Sequence, residues 1–155
     1  MRLNRESGFT LFELMMIISI LAILSALTIP NMIGWRDAAK LRSAVNHLRG
    51  DLQMARSWAI KQNVVVKTQF SANSYAIVVE GGQVLKRRQL PAGVRIVIPE
   101  TTFTDGDLDG KPDTSFNGRG IPVPGVVGDL GNVVIRGRSG TRQININTVG
   151  RIQIS

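Results

Sequence analysis

Hydrophobic positions along this chain change their spacing twice, and each change marks a different element. From residue 14 to residue 29 almost every position is apolar, and between Glu6 and Arg36 the single charged residue is Glu13. From Ala38 the apolar residues step by three and four through Leu41, Val45, Leu48, Leu52, Ala55 and Ala59, a stripe at helical period. Arg42, Arg49, Arg56 and Lys61 fall mostly off that stripe. The spacing therefore predicts an amphipathic helix to about Gln62, with Gly50 a tolerated weak point. Beyond Asn63 the pattern turns to strands. Residues 64–70 and 75–80 flank a Ser-Ala-Asn-Ser turn, and Gly81-Gly82 leads into 83–90. Residues 94–98 form a further strand, 99–129 are loop-rich, and 132–136, 142–148 and 151–154 read as a terminal meander.

The fold class is α+β: a long N-terminal helix, apolar then amphipathic, packed on a C-terminal antiparallel β-sheet head. The segments are 1–8, 9–35, 36–62 and 63–155. At 155 residues, the part from Arg36 onward is long enough to bury one small core.

Residues 14–35 suffice to cross a bilayer as a helix, which takes ~20 residues. Arg2 and Arg5 precede them, so the positive-inside rule predicts a cytoplasmic amino end and a head on the other side. No A-x-A-like cleavage site closes the run, as an ordinary signal peptide would require. Glu13 is the exception in it. A carboxylate at membrane depth costs ~3 kcal/mol at a helix centre and is a functional suspect by default.

The run Gly8-Phe9-Thr10-Leu11-Phe12-Glu13-Leu14 closely resembles the type IV prepilin cleavage motif. The resemblance implies a leader over 1–8, a membrane prepilin peptidase that cuts between Gly8 and Phe9, and methylation of the new amine of Phe9. It places Glu13 where the family carries its near-invariant glutamate. The α-amine of one subunit and the Glu13 carboxylate of the next could then neutralise each other in an apolar filament core, a pairing that specifies register more than it adds stability. Pro30 also matches the family, whose helix bends or melts near a proline here. Having no N–H to give the carbonyl of Ala26, it predicts a local break. Gly8 and Phe9 are thus the processing residues, and Glu13 and Pro30 the assembly residues.

Charge adds two candidates. The formal net charge is +8 and there is no cysteine, which excludes disulfides and thiolate metal sites and suits anionic partners. Asp105, Asp107, Asp109, Lys111 (through its carbonyl) and Asp113 fit a D-x-D-x-D-G-x-x-D spacing, as used by calcium loops. Phe116 stands where an EF-hand needs its last glutamate, so the choice is between a shortened Ca2+ loop and a solvated acidic turn. No cofactor is required, with Ca2+ the candidate. The other cluster is basic: Arg136, Arg138, Arg142 and Arg151 crowd the terminal hairpin, with Lys86, Arg87 and Arg88 on another strand. Arginine contacts to phosphate would give sequence-independent, salt-sensitive DNA binding. A solvated edge face is the plainer reading, since no aromatic residue interleaves the cluster. Catalysis finds no support: the one histidine, His47, sits on the predicted helix, where partial exposure is expected, and no nucleophile–base pair is apparent. Trp35 reads as interfacial and Trp58 as core.

Three segments narrow the resemblance. Residues 48–63 with their A-R-S-x-A-I signature, Ser115-Phe116-Asn117-Gly118-Arg119-Gly120, and Val149-Gly150-Arg151-Ile152 are similar to the GspH/FimT family. That implies a non-catalytic minor pilin or pseudopilin whose head carries two β-sheets on the helix. Its partners would be other pilins through the N-terminal helix, the prepilin peptidase and the bacterial inner membrane. DNA-uptake members use a G-R-x-R motif; here Gly137-Arg138-Ser139-Gly140 lacks the second arginine. A tip or priming subunit of a type II secretion pseudopilus and a minor pilin of a surface pilus with DNA as ligand both fit.

Overall fold

A computed structural model describes residues 9–103, 112–123 and 131–155, apart from the side chains of 27–31. The chain divides into two compact units, Met1–Arg36 and Asp37–Ser155. One element contributes to both: helix α1, Leu11–Gln62. Its assignment runs through position 30, so the break expected at Pro30 does not interrupt it. A missing donor removes one rung of a long ladder, and the flanking rungs suffice to keep the backbone helical. The helix stops where the sequence predicts. Asn63 takes a left-handed φ of 52°, and the N–H of Val64 donates back to the Ala59 carbonyl at 3.2 Å. This is the hydrogen bond of a Schellman C-cap.

In the second unit the stripe is buried: Leu48, Leu52, Ala55 and Ala59 are fully enclosed, with Leu41, Ala44 and Val45 close behind. His47 is exposed as expected. Trp58 is not core: it is 40% exposed, because at 3.6 residues per turn position 58 lies about 100° around the helix from Ala59, off the centre of the buried stripe.

Among the described residues nine strands follow: β1 Val66–Ser71, β2 Ser74–Val79, β3 Val84–Gln89, β4 Arg95–Ile96, β5 Asp113–Phe116, β6 Pro122–Val123, β7 Asn132–Gly137, β8 Gly140–Ile146 and β9 Ile152–Ile154. They form a five-stranded sheet ordered β3-β2-β1-β5-β6 and a four-stranded sheet ordered β4-β7-β8-β9, with every pairing antiparallel. The α+β head with two sheets is the expected fold. β5 and β6 lie in the stretch read as loop. β5 pairs with β1 from Val66↔Phe116 to Gln69↔Asp113, and its Asp113 and Thr114 are buried polar residues that hide the strand from a hydrophobic pattern. Phe70, Ile77 and Phe116 of one sheet and Val133, Ile135 and Ile144 of the other join the helix stripe in a single core. Phe103 stacks on Phe70 with centroids 5.5 Å apart.

The far end of α1 is fastened by one side chain. Arg56 donates from Nε to the Gly120 carbonyl at 2.9 Å and from Nη2 to the Val149 carbonyl at 3.2 Å. The two receiving turns are built alike. The Asn117 side-chain oxygen accepts the N–H groups of Arg119 and Ile121, and that of Asn147 accepts those of Val149 and Arg151. Each turn thus closes on its own asparagine. Packing at these turns is too close for a side chain at Gly118 or Gly150. A Cβ on Gly150 would lie 2.6 Å from the Gly120 carbonyl oxygen, and one on Gly118 would strike the Asn63 side chain. Arg56→Met keeps the aliphatic stem but removes both charged donors. A loss of about 2 kcal/mol is expected, measured by urea unfolding of the full chain in detergent.

Candidate assembly helix and charged face of the head

The start of α1 is apolar on all sides. Phe9, Leu11 and Phe12 are 77–80% exposed, and no described side chain from 9 to 26 is buried. A helix without a polar face is stable only where lipid or another protein surrounds it. Its hydroxyls are turned inward: Ser19 donates to the Met15 carbonyl at 2.8 Å and Ser25 to the Leu21 carbonyl at 2.7 Å. Glu13 is then the one charged side chain between 9 and 26, in the first turn, where the helix dipole favours a carboxylate. Gly8 lies outside the described residues, as does the side chain of Pro30. Among the described residues no helix is long and apolar enough to cross a membrane. The fully described apolar run stops at residue 26, short of the ~20 residues a bilayer takes.

In the head, the basic strand has a counter-ion that the sequence reading missed. Asp51 sits on α1 with 6% exposure and accepts three hydrogen bonds: from Tyr75 Oη at 2.7 Å, Lys86 Nζ at 2.6 Å and Arg88 Nε at 2.8 Å. Register explains the convergence. Tyr75 lies opposite Arg88, and Ile77 opposite Lys86, so all four share the face turned to the helix while Arg87 points away. Burial by itself would raise the Asp51 carboxyl, but the hydrogen bonds from Lys86, Arg88 and Tyr75 outweigh it and hold the group below its ordinary value. Burial, then Asp51, pushes the Tyr75 phenol up. The Asp51 hydrogen bond raises Arg88.

Arg136, Arg138 and Arg142 of the β7–β8 hairpin do not form one patch. In the β7–β8 pairing Arg142 lies opposite Ile135, and Arg136 opposite Thr141. Adjacent positions alternate faces, so Arg136 and Arg142 project to opposite sides of the sheet. Arg136 is also engaged: its Nη2 donates to both Glu100 oxygens, at 2.7 and 3.0 Å. Arg138 is exposed in the turn, over Gly93. Of the acidic loop, Asp105, Asp107, Asp109 and the carbonyl of Lys111 lie outside the described residues. Asp113 begins β5, nearly buried, with its carboxylate 3.3 Å from Lys67 Nζ. Among the described residues no group of three or more His, Cys, Asp or Glu could hold a metal.

A family model for the type II transport protein GspH matches residues 44–150, and one for the prokaryotic N-terminal methylation motif matches residues 3–29. The chain belongs to the GspH family. It is therefore one of the type IV pilin-like subunits, a structural family, and a membrane-anchored component of a pilus or pseudopilus that assembles with other pilins. It is 27% identical to competence protein ComGD of Bacillus subtilis over 80% of this chain and 79% of that protein. It is 44% identical to type II secretion system core protein G of Aeromonas hydrophila, over 31% of this chain and 34% of that one. Among solved structures, the type IV minor pilin FimU of Pseudomonas aeruginosa has the same fold, with a TM-score of 0.59 at 21% identity, covering 78% of this chain and 92% of that one. The three segments that carried the GspH resemblance are those fastened by Arg56, so in this chain the family's signature is a structural clamp.

Because folding depresses the Asp51 carboxyl, the stability it confers is present above its unfolded value of about 4 and is lost as pH falls through the folded value. Asp51→Asn is expected to cost about 3 kcal/mol at pH 7. It should also flatten the decline of the thermal midpoint below about pH 4, followed by circular dichroism across pH 2–7.

Proposed function

We propose that this chain is a non-catalytic minor pseudopilin that enters the tip or priming complex of a type II secretion pseudopilus. It would be cut between Gly8 and Phe9 by a prepilin peptidase and methylated on the Phe9 amine. The observation that carries the reading is the coincidence of the methylation motif, residues 3–29, with a helix start that is apolar on every side and holds one carboxylate, Glu13. Such a rod needs an apolar environment before and after assembly: first the inner membrane, crossed once with Arg2 and Arg5 on the cytoplasmic side, then neighbouring helices. The α-amine made by cleavage would lie one helical turn before Glu13, within reach of a neighbouring subunit's carboxylate. Buried in a filament, each charge needs the other.

A second reading, a minor pilin of a surface pilus that binds DNA, is favoured by the likeness to a competence protein along most of the chain. With Arg136 held by Glu100, the phosphate contacts would fall chiefly to Arg138 and Arg142. A Ca2+ ion in the loop from Asp105 to Asp113 is a further part of the proposal, in which Asp113 would have to exchange Lys67 for the metal. Calorimetric titration of the full chain in detergent tests it, and no heat with no thermal shift ends the idea.

Gly8→Ala is expected to leave the precursor uncut, and a mature product beginning at Phe9 in that variant would sink the assignment. Glu13→Ala should be cut normally yet be missing from sheared filaments in immunoblots. Deletion separates the machines: loss of exoprotein release marks secretion, while loss of transformation, with a gel shift that weakens as salt rises, marks DNA uptake.

A further inference from the structure

Three turns meet at the end of the head where α1 enters it. The β7–β8 turn lies against Leu41: a Cβ on Gly137 would come 3.3 Å from the Leu41 Cβ. The β1–β2 turn is tied to the segment after β3, since the Leu90 N–H donates to the Asn73 carbonyl at 2.9 Å and the Ile96 N–H to the Ala72 carbonyl at 2.8 Å. The third is a type II turn over Pro91–Val94, closed by the Val94 N–H on the Pro91 carbonyl at 3.0 Å, with Gly93 at a φ of 86°. Between the last two turns opens a cavity of about 380 Å³, with Asn73, Ser74, Gln89 and Gly93 among its walls and no acidic residue in them. Arg138 reaches it from the first turn, its Nε 3.7 Å from where a Cβ on Gly93 would stand. Among the described residues Arg138 and the side chains of Asn73, Ser74 and Gln89 have no ion pair or hydrogen bond. One guanidinium, two amides and a hydroxyl are thus left with donors to spare beside one cavity.

We propose that this cavity binds the headgroup of an anionic phospholipid of the phosphatidylglycerol type. Arg138 takes the phosphate through charge-assisted N–H donors, and Asn73, Ser74 and Gln89 take the glycerol hydroxyls. Free phosphate shares the first contact but not the others. With no carboxylate in the walls, a headgroup that ends in a cation finds no counter-ion there. Place and shape favour a membrane surface over a nucleic acid. The chain is membrane-anchored, and α1 passes from its apolar residues into the head at this end. The cavity is concave, whereas a duplex offers its phosphates on a convex rod and leaves the amides unused. The site needs membrane anchoring, but neither cleavage at Phe9 nor a particular filament.

The full chain in a neutral maltoside detergent is titrated calorimetrically with dihexanoyl phosphatidylglycerol. Dihexanoyl phosphatidylcholine, inorganic phosphate and a short DNA duplex are run in parallel, and partition of lipid into the micelle is common to all variants. Phosphatidylglycerol is expected to bind about tenfold more tightly than phosphatidylcholine or phosphate. Arg138→Gln should weaken it about tenfold, equal to ~1.4 kcal/mol. Arg119→Gln removes the same charge from an exposed residue at the other end of the head, in the turn that Arg56 grips, and should change the affinity by less than about twofold. Gln89→Leu should weaken phosphatidylglycerol about threefold and leave phosphate binding as it was. These three side chains are exposed, so thermal midpoints should match wild type. Absence of binding, equal affinity for phosphatidylcholine or phosphate, or equal losses in Arg138→Gln and Arg119→Gln overturns the site. A duplex that binds through Arg138 more tightly than the lipid overturns it too, and assigns that arginine to nucleic acid.

Discussion

Two sheets share one helix face, and the rest of the head depends on that constraint. Leu48 and Leu52 fill the centre of the shared surface, while Ala44, Ala55 and Ala59 keep its ends shallow. Apolar burial supplies the driving force but has no direction, so a smooth stripe would let the sheets slide along α1. Direction comes from two polar residues beside the stripe. Asp51 fixes β2 and β3 through Tyr75, Lys86 and Arg88, and Arg56 fixes the β5–β6 and β8–β9 turns through two carbonyls. Each sheet thus has a polar attachment to the same helix, five residues apart in sequence.

What could be read from the sequence follows from the range of each interaction. The helix end, the β1–β2 and β2–β3 hairpins and the terminal meander are local, and their spacing and turn residues announce them. β5 is not local: it inserts beside β1 across more than forty residues, carries buried Asp113 and Thr114 in place of an apolar alternation, and so passed for loop. The processing motif is contiguous from Gly8 to Glu13 and needs no tertiary contact to be recognised. The arginine cluster failed for the opposite reason. Adjacency along the hairpin suggested a patch, yet strand alternation separates Arg136 from Arg142, and the partners of Lys86, Arg88 and Arg136 all lie on distant segments.

That separation changes how the net charge should be understood. A count of +8 suggests a broadly cationic surface, but much of the positive charge has an internal task. Lys86 and Arg88 neutralise Asp51, Lys67 faces Asp113, and Arg56 serves two backbone carbonyls. The pairing of β4 with β7 sharpens the point, because Arg95 lies directly opposite Arg136. Like charges across a strand pair repel, and the two-oxygen grip of Glu100 on Arg136 relieves that repulsion. A phosphate approaching Arg136 would have to displace the carboxylate of Glu100 from both of its hydrogen bonds. Of the hairpin arginines, Arg138 in the turn and Arg142 on the other face of the sheet are the ones left exposed.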